Sequence, residues 1–88
     1  MINAYARQLN LATPSYEVRE LGKRWGSSVK NNRLYFHWQL ARLPISKIEF
    51  ICAHEIAHIL EANHTLKFRK ILAQLVPQHE FLLTKFSI

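Results

Sequence analysis

The sequence contains few of the cysteines that cross-link small extracellular proteins and few of the glycines and prolines that interrupt helices and strands. Of its 88 residues one is cysteine, two are glycine and three are proline, and all six acidic residues are glutamate. A single cysteine, Cys52, excludes an internal disulfide, and its apolar neighbours favour a buried thiol in a reducing, cytoplasmic compartment. The scarcity of glycine and proline, with 49% hydrophobic residues, excludes a disordered or low-complexity chain.

Long apolar runs are also absent. The most apolar stretch, residues 48–60, is interrupted by two glutamates and two histidines, so we expect no membrane span. The first residues lack the basic segment and apolar run of a secretory signal. The length allows one domain, residues 1–88.

Positive charge is in excess, with twelve lysines and arginines against six glutamates and a formal net charge of +6. A basic surface can attract nucleic acid or an acidic protein. The charges are scattered, however, and the adjacent pairs are only Lys23-Arg24 and Arg69-Lys70. This distribution favours an ordinary solvated surface, so nucleic acid is possible as a partner but not favoured.

The N-terminal half predicts a helix followed by a small sheet. Residues 2–11 place apolar side chains at helical spacing. Apolar and polar residues alternate at 16–19 and, most clearly, at 34–38, while 25–29 can form a strand between them. The asparagine-rich turn at 30–32 joins the last two strands as an antiparallel hairpin.

A buried helix is predicted from residue 47 to about 61, because the segment is apolar nearly all round. Ser46 and Glu49 have the spacing of a capping box at its start. Ile45 and Phe50 are placed to form a hydrophobic staple over that box.

A second helix is predicted to follow. The tripeptide 61–63 ends the first helix, since asparagine tolerates the left-handed conformation that commonly closes helices. Thr65 can cap the second, and Pro77 interrupts it before a last short helix at 78–86. The buried face of the helix that Thr65 caps is predicted to consist of Leu66, Phe68, Ile71, Leu72, Leu75 and Val76.

The buried helix contains the motif His54-Glu55-Ile56-Ala57-His58. Residues four apart lie one above the other on a helix, so two imidazoles can converge on one zinc ion. Glu55 lies beside them and can accept a proton from a metal-bound water. The alternative is two core histidines bonded to backbone carbonyls, which leaves a buried glutamate without a partner at high cost.

His64 is the best candidate for a third ligand, provided that the helix ends between His58 and His64. Glu80 is the rival, and a loop histidine without a role is the plainer alternative. Glu61 is better suited to a supporting or exposed position than to the ion itself. The three histidines have metzincin spacing, but Glu61 occupies the glycine position and Met1 is the only methionine, so no Met-turn can form.

Three segments resemble the YgjP-like metallopeptidase domains, which are related to the WLM and SprT families. Arg24-Trp25-Gly26-Ser27-Ser28 is similar to the family's R-W-G-S-C segment, with Ser28 in place of cysteine. Residues 33–40 resemble the following strand, with His37 where asparagine is common. Residues 53–68 (AHEIAHILEANHTLKF) resemble A-H-E-L-A-H-L-L-E-P-N-H-S-P-R-F almost throughout, and the likeness covers nearly the whole chain.

The resemblance implies zinc on His54, His58 and His64, with Glu55 catalytic. It also implies a zincin-like α+β fold, in which an N-terminal helix and a small antiparallel sheet accompany the buried H-E-x-x-H helix, followed by one or two C-terminal helices. Family members are usually longer, with a β-rich N-terminal half, which makes this chain the C-terminal part of such an architecture or a short member.

Hydrolysis of peptides or proteins is therefore the leading hypothesis. The alternatives are a zinc-dependent nucleotide phosphoanhydride hydrolase, which lacks support from any Gly-rich phosphate loop, and a non-catalytic zinc module, against which Glu55 argues. A peptide could add to strand 34–38 if that strand forms a free edge, while Phe36 and Trp38 are expected in the core. Residue type allows four oxyanion stabilisers: Arg24, Tyr35, His37 and His79.

Overall fold

The computed structural model describes residues 1–29 and 31–77, and within them it confirms the α+β class. The predicted helix at 78–86 lies outside the described residues. The elements, in chain order, are α1 (Ile2–Gln8), β1 (Ser15–Arg19), β2 (Gly26–Val29), β3 (Arg33–His37), a short 3-10 helix (Trp38–Arg42), α2 (Ile45–Leu60) and α3 (Leu66–Leu75).

The sheet has the strand order β1-β3-β2. The predicted hairpin is confirmed: β2 and β3 pair antiparallel, and Asn31 and Asn32 turn the chain with φ values of 68° and 58°. β1 pairs parallel with β3, so the sheet is mixed where a purely antiparallel one was expected. The reason is burial, since β3 carries Leu34 and Phe36 into the core and therefore takes the central position between two partners.

The core lies between the sheet and the helices. The middle of α2, from Phe50 to Ala57, is buried on every side, which agrees with its nearly continuous apolar sequence. Leu34 and Phe36 of β3 belong to the same hydrophobic cluster as Phe68 of α3. α2 therefore occupies the centre of the fold, and a ligand can reach its polar residues only through a cleft in that core.

The start of α2 differs from the prediction. The helix begins at Ile45 with Pro44 as its N-cap, and no side chain caps it. The predicted capping box is wrong, because Ser46 already lies within the first turn, where its side chain cannot occupy the N-cap position. The predicted staple is wrong as well, since Ile45 is 69% exposed. Proline has a fixed φ that suits a helix start, which moves the boundary towards the N-terminus.

The end of α2 is where the sequence predicted it, but the mechanism is different. The chain leaves the helix at Glu61 in an extended conformation (φ −141°, ψ 110°). Asn63 is not among the described residues with positive φ, so a left-handed cap is not what ends the helix. Thr65 caps α3 as predicted, its hydroxyl accepting a hydrogen bond from the amide of Phe68 at 3.3 Å.

Two predicted core residues are on the surface. Leu66, at the first turn of α3, is 69% exposed, whereas Phe68, Leu72, Leu75 and Val76 are buried as expected. Trp38 is 48% exposed because β3 ends at His37 and the chain turns into the 3-10 helix there. The alternation along the strand predicted a buried Trp38, and because the strand ends one residue earlier, the side chain is exposed instead.

Cys52 is buried in α2, and burial raises the pKa of its thiol to about 11. The expected burial of this thiol is confirmed. No helix of the described residues is both long enough and apolar enough to cross a membrane.

Candidate metal centre

The structure brings His54, His58 and His64 together; we refer to these three residues as the histidine cluster. His54 and His58 lie one turn apart on α2, and His64 comes from the segment that joins α2 to α3. The Nε2 atom of His58 lies 3.0 Å from Nε2 of His54 and 3.0 Å from Nε2 of His64. The extended exit at Glu61 redirects the chain so that His64 can reach back to the helix.

Neighbouring groups orient the rings of the histidine cluster. Nδ1 of His58 is 3.2 Å from the main-chain carbonyl of Glu61, to which it donates when the proton is on that nitrogen. This tautomer leaves the Nε2 lone pair available to an ion. The ring of Phe68 lies against all three imidazoles, with centroids 4.5–5.0 Å away. Glu61 thus supports His58 through its backbone rather than through the carboxylate considered from the sequence.

His54 is the most buried member of the histidine cluster. Burial, reinforced by the charges of His58 and His64, lowers the pKa of His54 to about 3, so this ring is neutral. Burial also lowers the pKa of His58. Nδ1 of His54 has no hydrogen-bond partner among the described residues. An unpaired buried polar atom costs on the order of 1–3 kcal/mol, and an ion bound at Nε2 would leave Nδ1 unpaired, so the fit of this ring to a metal rests on Nε2 alone.

The histidine cluster fits a divalent metal ion by its donor chemistry. Neutral imidazole nitrogens are common metal ligands, and three of them leave a fourth position for water or substrate, as in catalytic zinc sites. Nitrogens bound to one ion at 2.0–2.1 Å with tetrahedral angles stand about 3.3 Å apart. The observed Nε2 separations of 3.0 Å are close to this value.

Glu55 is 4% exposed and packs against β2, at Gly26. A Cβ atom at residue 26 would lie 2.9 Å from both Cγ and Oε2 of Glu55, closer than side chains tolerate. Glycine at this position is therefore what leaves room for the carboxylate. Burial raises the pKa of Glu55 to about 7, and the positive charge of Arg24 opposes that rise.

A pocket of about 270 Å³ opens over the histidine cluster and Glu55. The pocket is also lined by Arg24, Gly26, Ser28 and Ala62. The sequence identified Gly26 and Ser28 only as parts of a family segment. No spacing rule connects them to α2, since they reach it through the pairing of β2 with β3.

Three of the four oxyanion candidates are described residues, and of these three Arg24 alone lines this pocket. Tyr35 lies under the guanidinium of Arg19, 4.6 Å from its ring centroid, and does not line the pocket. His37 is 2.9 Å from Glu20 and accepts a hydrogen bond from the amide of Gln39. His79, like the rival ligand Glu80, lies outside the described residues.

β3 is the central strand, so the peptide-binding edge considered from the sequence is not there. β2 is an edge of the described sheet and contacts α2. The amide of His37 bonds to the carbonyl of Trp25 at 2.9 Å, which makes residues 25 and 37 a hydrogen-bonded pair. Because such pairs alternate along an antiparallel ladder, the backbone groups of Gly26 and Ser28 point away from β3.

Comparison with known proteins identifies the kind of site. A family model described as the YgjP-like metallopeptidase domain matches residues 1–85. Among solved structures, the crystal structure of the metallopeptidase zymogen of Pyrococcus abyssi abylysin is similar, with a TM-score of 0.78. It is 17% identical in sequence, over 97% of this chain and 90% of that chain, so the likeness shows the fold, which is zincin-like as predicted. No curated protein matches the sequence.

Proposed function

We propose that this chain, which belongs to the YgjP-like metallopeptidase domain family, hydrolyses peptide bonds with a zinc ion held by the histidine cluster and with Glu55 as general base. Membership of the family makes the chain a metallopeptidase-like hydrolase and implies a divalent metal. The observation that carries the proposal is the convergence of three imidazole nitrogens beside a buried carboxylate in one pocket. Three nitrogen ligands with an open fourth position are typical of catalytic zinc.

Each residue has a separate task in this proposal. When bound, the ion would lower the pKa of a coordinated water towards neutrality and polarise the scissile carbonyl. Glu55 takes a proton from the attacking water onto its carboxylate and passes it to the leaving amine. Gly26 leaves space for that carboxylate, and the Glu61 carbonyl holds His58 in the required tautomer.

The edge of β2 offers a place for the substrate backbone. The outward amide and carbonyl groups of Gly26 and Ser28 can pair with an extended peptide, which adds a strand to the sheet beside the pocket. A main-chain interaction of this kind binds peptides with little regard to side chains. A peptide or protein substrate fits this edge. We retain the prediction of a cytoplasmic location because a single cysteine can form no internal disulfide.

The substitution Glu55→Gln tests the proposal, because it preserves side-chain size and removes the carboxylate that accepts the proton. We expect hydrolysis of a peptide library to fall by ~10²–10⁴-fold while one zinc per chain stays bound. Activity and metal content are measured on the same sample.

Full activity with zinc retained would show that Glu55 is not the base. Zinc loss in the variant would show that Glu55 holds the ion or its ligands. Hydrolysis of nucleoside triphosphates rather than peptides by the parent protein would replace the proposed substrate class.

A further inference from the structure

We propose that Arg24 binds a carboxylate of the substrate, so that the site prefers peptides with an acidic side chain or a free C-terminus near the scissile bond. The inference rests on the proposed function and adds a substrate class to it. The feature that carries it is the presence of Arg24 in the lining of the pocket that also contains the histidine cluster.

Arg24 is the only described residue of the pocket wall with a permanent positive charge. It precedes β2 by two residues, so it lies at the end of the edge along which a peptide backbone would pair. Its side chain is exposed, and it donates a hydrogen bond to the hydroxyl of Ser27 at 3.3 Å. A guanidinium has five N–H donors, so this single bond leaves most of its donors available to a ligand.

The segment 20–25 that carries Arg24 is fixed at both ends. The Glu20 carboxylate accepts hydrogen bonds from the amide of Gly22 at 2.9 Å and the indole of Trp38 at 3.1 Å, and it pairs with His37 at 2.9 Å. After Arg24, the carbonyl of Trp25 accepts the amide of His37. Because the backbone is held on both sides, little further ordering of the segment is needed when a ligand binds.

The chemistry of the pocket favours a carboxylate over other groups. Arginine presents a planar fork that pairs with both oxygens of a carboxylate, whereas a neutral amide can accept only at its single oxygen. Glu55 is the one described acid in the pocket wall, and it lies against Gly26. A substrate carboxylate would therefore meet the positive charge of Arg24, which also acts on Glu55.

Binding to a zinc-loaded Glu55→Gln protein tests the inference without depending on turnover. Calorimetry would compare acetylated tetrapeptides in matched pairs: glutamate against glutamine at one position, and a free C-terminus against an amidated one. We expect the carboxylate member of at least one pair to bind roughly tenfold more tightly, as charge-assisted hydrogen bonds commonly provide. Which pair shows the preference distinguishes a side-chain carboxylate from a C-terminal one.

Adding Arg24→Gln should reduce that preference to less than about twofold, while Arg24→Lys should retain part of it, because lysine keeps the charge and loses the fork. Lys23→Gln is the matched control: it removes the same charge from the same segment, and Lys23 does not line the pocket. It should retain the full preference. Zinc content is measured for every variant.

The inference is overturned if Arg24→Gln keeps the preference, if it weakens charged and neutral peptides equally, or if no peptide binds. These outcomes are separate from the fate of the proposed function. Hydrolysis by the parent protein without any carboxylate preference would leave that function intact and remove this inference. A carboxylate preference that depends on Arg24, in a parent protein that hydrolyses no peptide, would support this inference and remove the proposed function.

Discussion

His37 and the histidine cluster have opposite environments. Both ring nitrogens of His37 are used by the fold: Nε2 pairs with Glu20 at 2.9 Å, and Nδ1 accepts the amide of Gln39 at 3.0 Å. In the histidine cluster the Nε2 atoms instead point at one another at separations of 3.0 Å. His37 and His54 are both buried, so burial alone does not distinguish the two environments.

The contrast distinguishes histidines that serve the fold from histidines whose nitrogens are available to a ligand. In His37 one ring nitrogen pairs with a carboxylate and the other accepts from a backbone amide, so that ring has no lone pair left for an ion. Rings that direct their nitrogens to a common point have such lone pairs. A substitution of His37 can therefore serve as the control for a substitution in the histidine cluster.

The largest difference is expected in metal affinity. His58→Ala removes the ring that contacts both other members of the histidine cluster, so zinc should bind at least ~100-fold more weakly, beyond the 10–100-fold typical of losing a supporting residue. His37→Asn should retain the parent's affinity. Competition with a chromophoric chelator measures both variants.

Equal affinities for His58→Ala and His37→Asn would contradict the assignment of the ligands. A His64→Ala variant that binds zinc as tightly as the parent, with Glu80→Ala losing it, would move the third ligand to Glu80.

The two glycines extend the comparison to the base. Gly26→Ala should push Glu55 from its place and lower kcat by about 10–100-fold with zinc retained, since a displacement near 1 Å at a site can cost that much. Gly22 has φ +66°, and a Cβ atom added there would meet nothing within 4 Å, so Gly22→Ala should lower stability through backbone strain and leave kcat unchanged. Unchanged kcat in Gly26→Ala would refute the steric argument.

Chelation should destabilise the fold, because the histidine cluster ties α2 to the segment before α3. Zinc at 100 times its dissociation constant stabilises by about 2.7 kcal/mol, which corresponds to roughly 10 °C or more in Tm for a domain of this size. Differential scanning fluorimetry with and without chelator measures the shift. The His58→Ala protein should show almost none, and an unchanged parent curve after verified zinc loss would contradict the prediction.

The smallest effect concerns Glu20, on the His37 side. Hydrogen bonds from Trp38, Gly22 and His37 hold the pKa of Glu20 below its ordinary value of 4.5. A lowered pKa in the folded state means that Glu20 contributes stability above that ordinary value, and that the contribution is lost as the pH falls through the folded pKa. Glu20→Gln should therefore destabilise slightly at pH 7 and flatten the decline of stability below about pH 5. Identical acid profiles for the two proteins would show that the bonds contribute nothing.

Prediction from sequence succeeded where a local rule was sufficient. The spacing of His54 and His58 needs only helical geometry, and Thr65 caps α3 by a bond to a residue three positions away. It failed at the start of α2, where Pro44 and not Ser46 sets the boundary, and at Trp38, where β3 ends early. These errors concern boundaries, which depend on competition between neighbouring signals.

The placement of two histidines and a glutamate on one buried helix follows from local sequence, because composition and a 3.6-residue period specify which faces coincide. What packs against that helix depends instead on the tertiary structure. β2 brings Gly26 against Glu55 and Arg24 into the pocket wall because β3 is the central strand and the hairpin folds β2 over α2. Contacts between residues nearly thirty positions apart depend on sheet order and packing, for which no local spacing provides a signal.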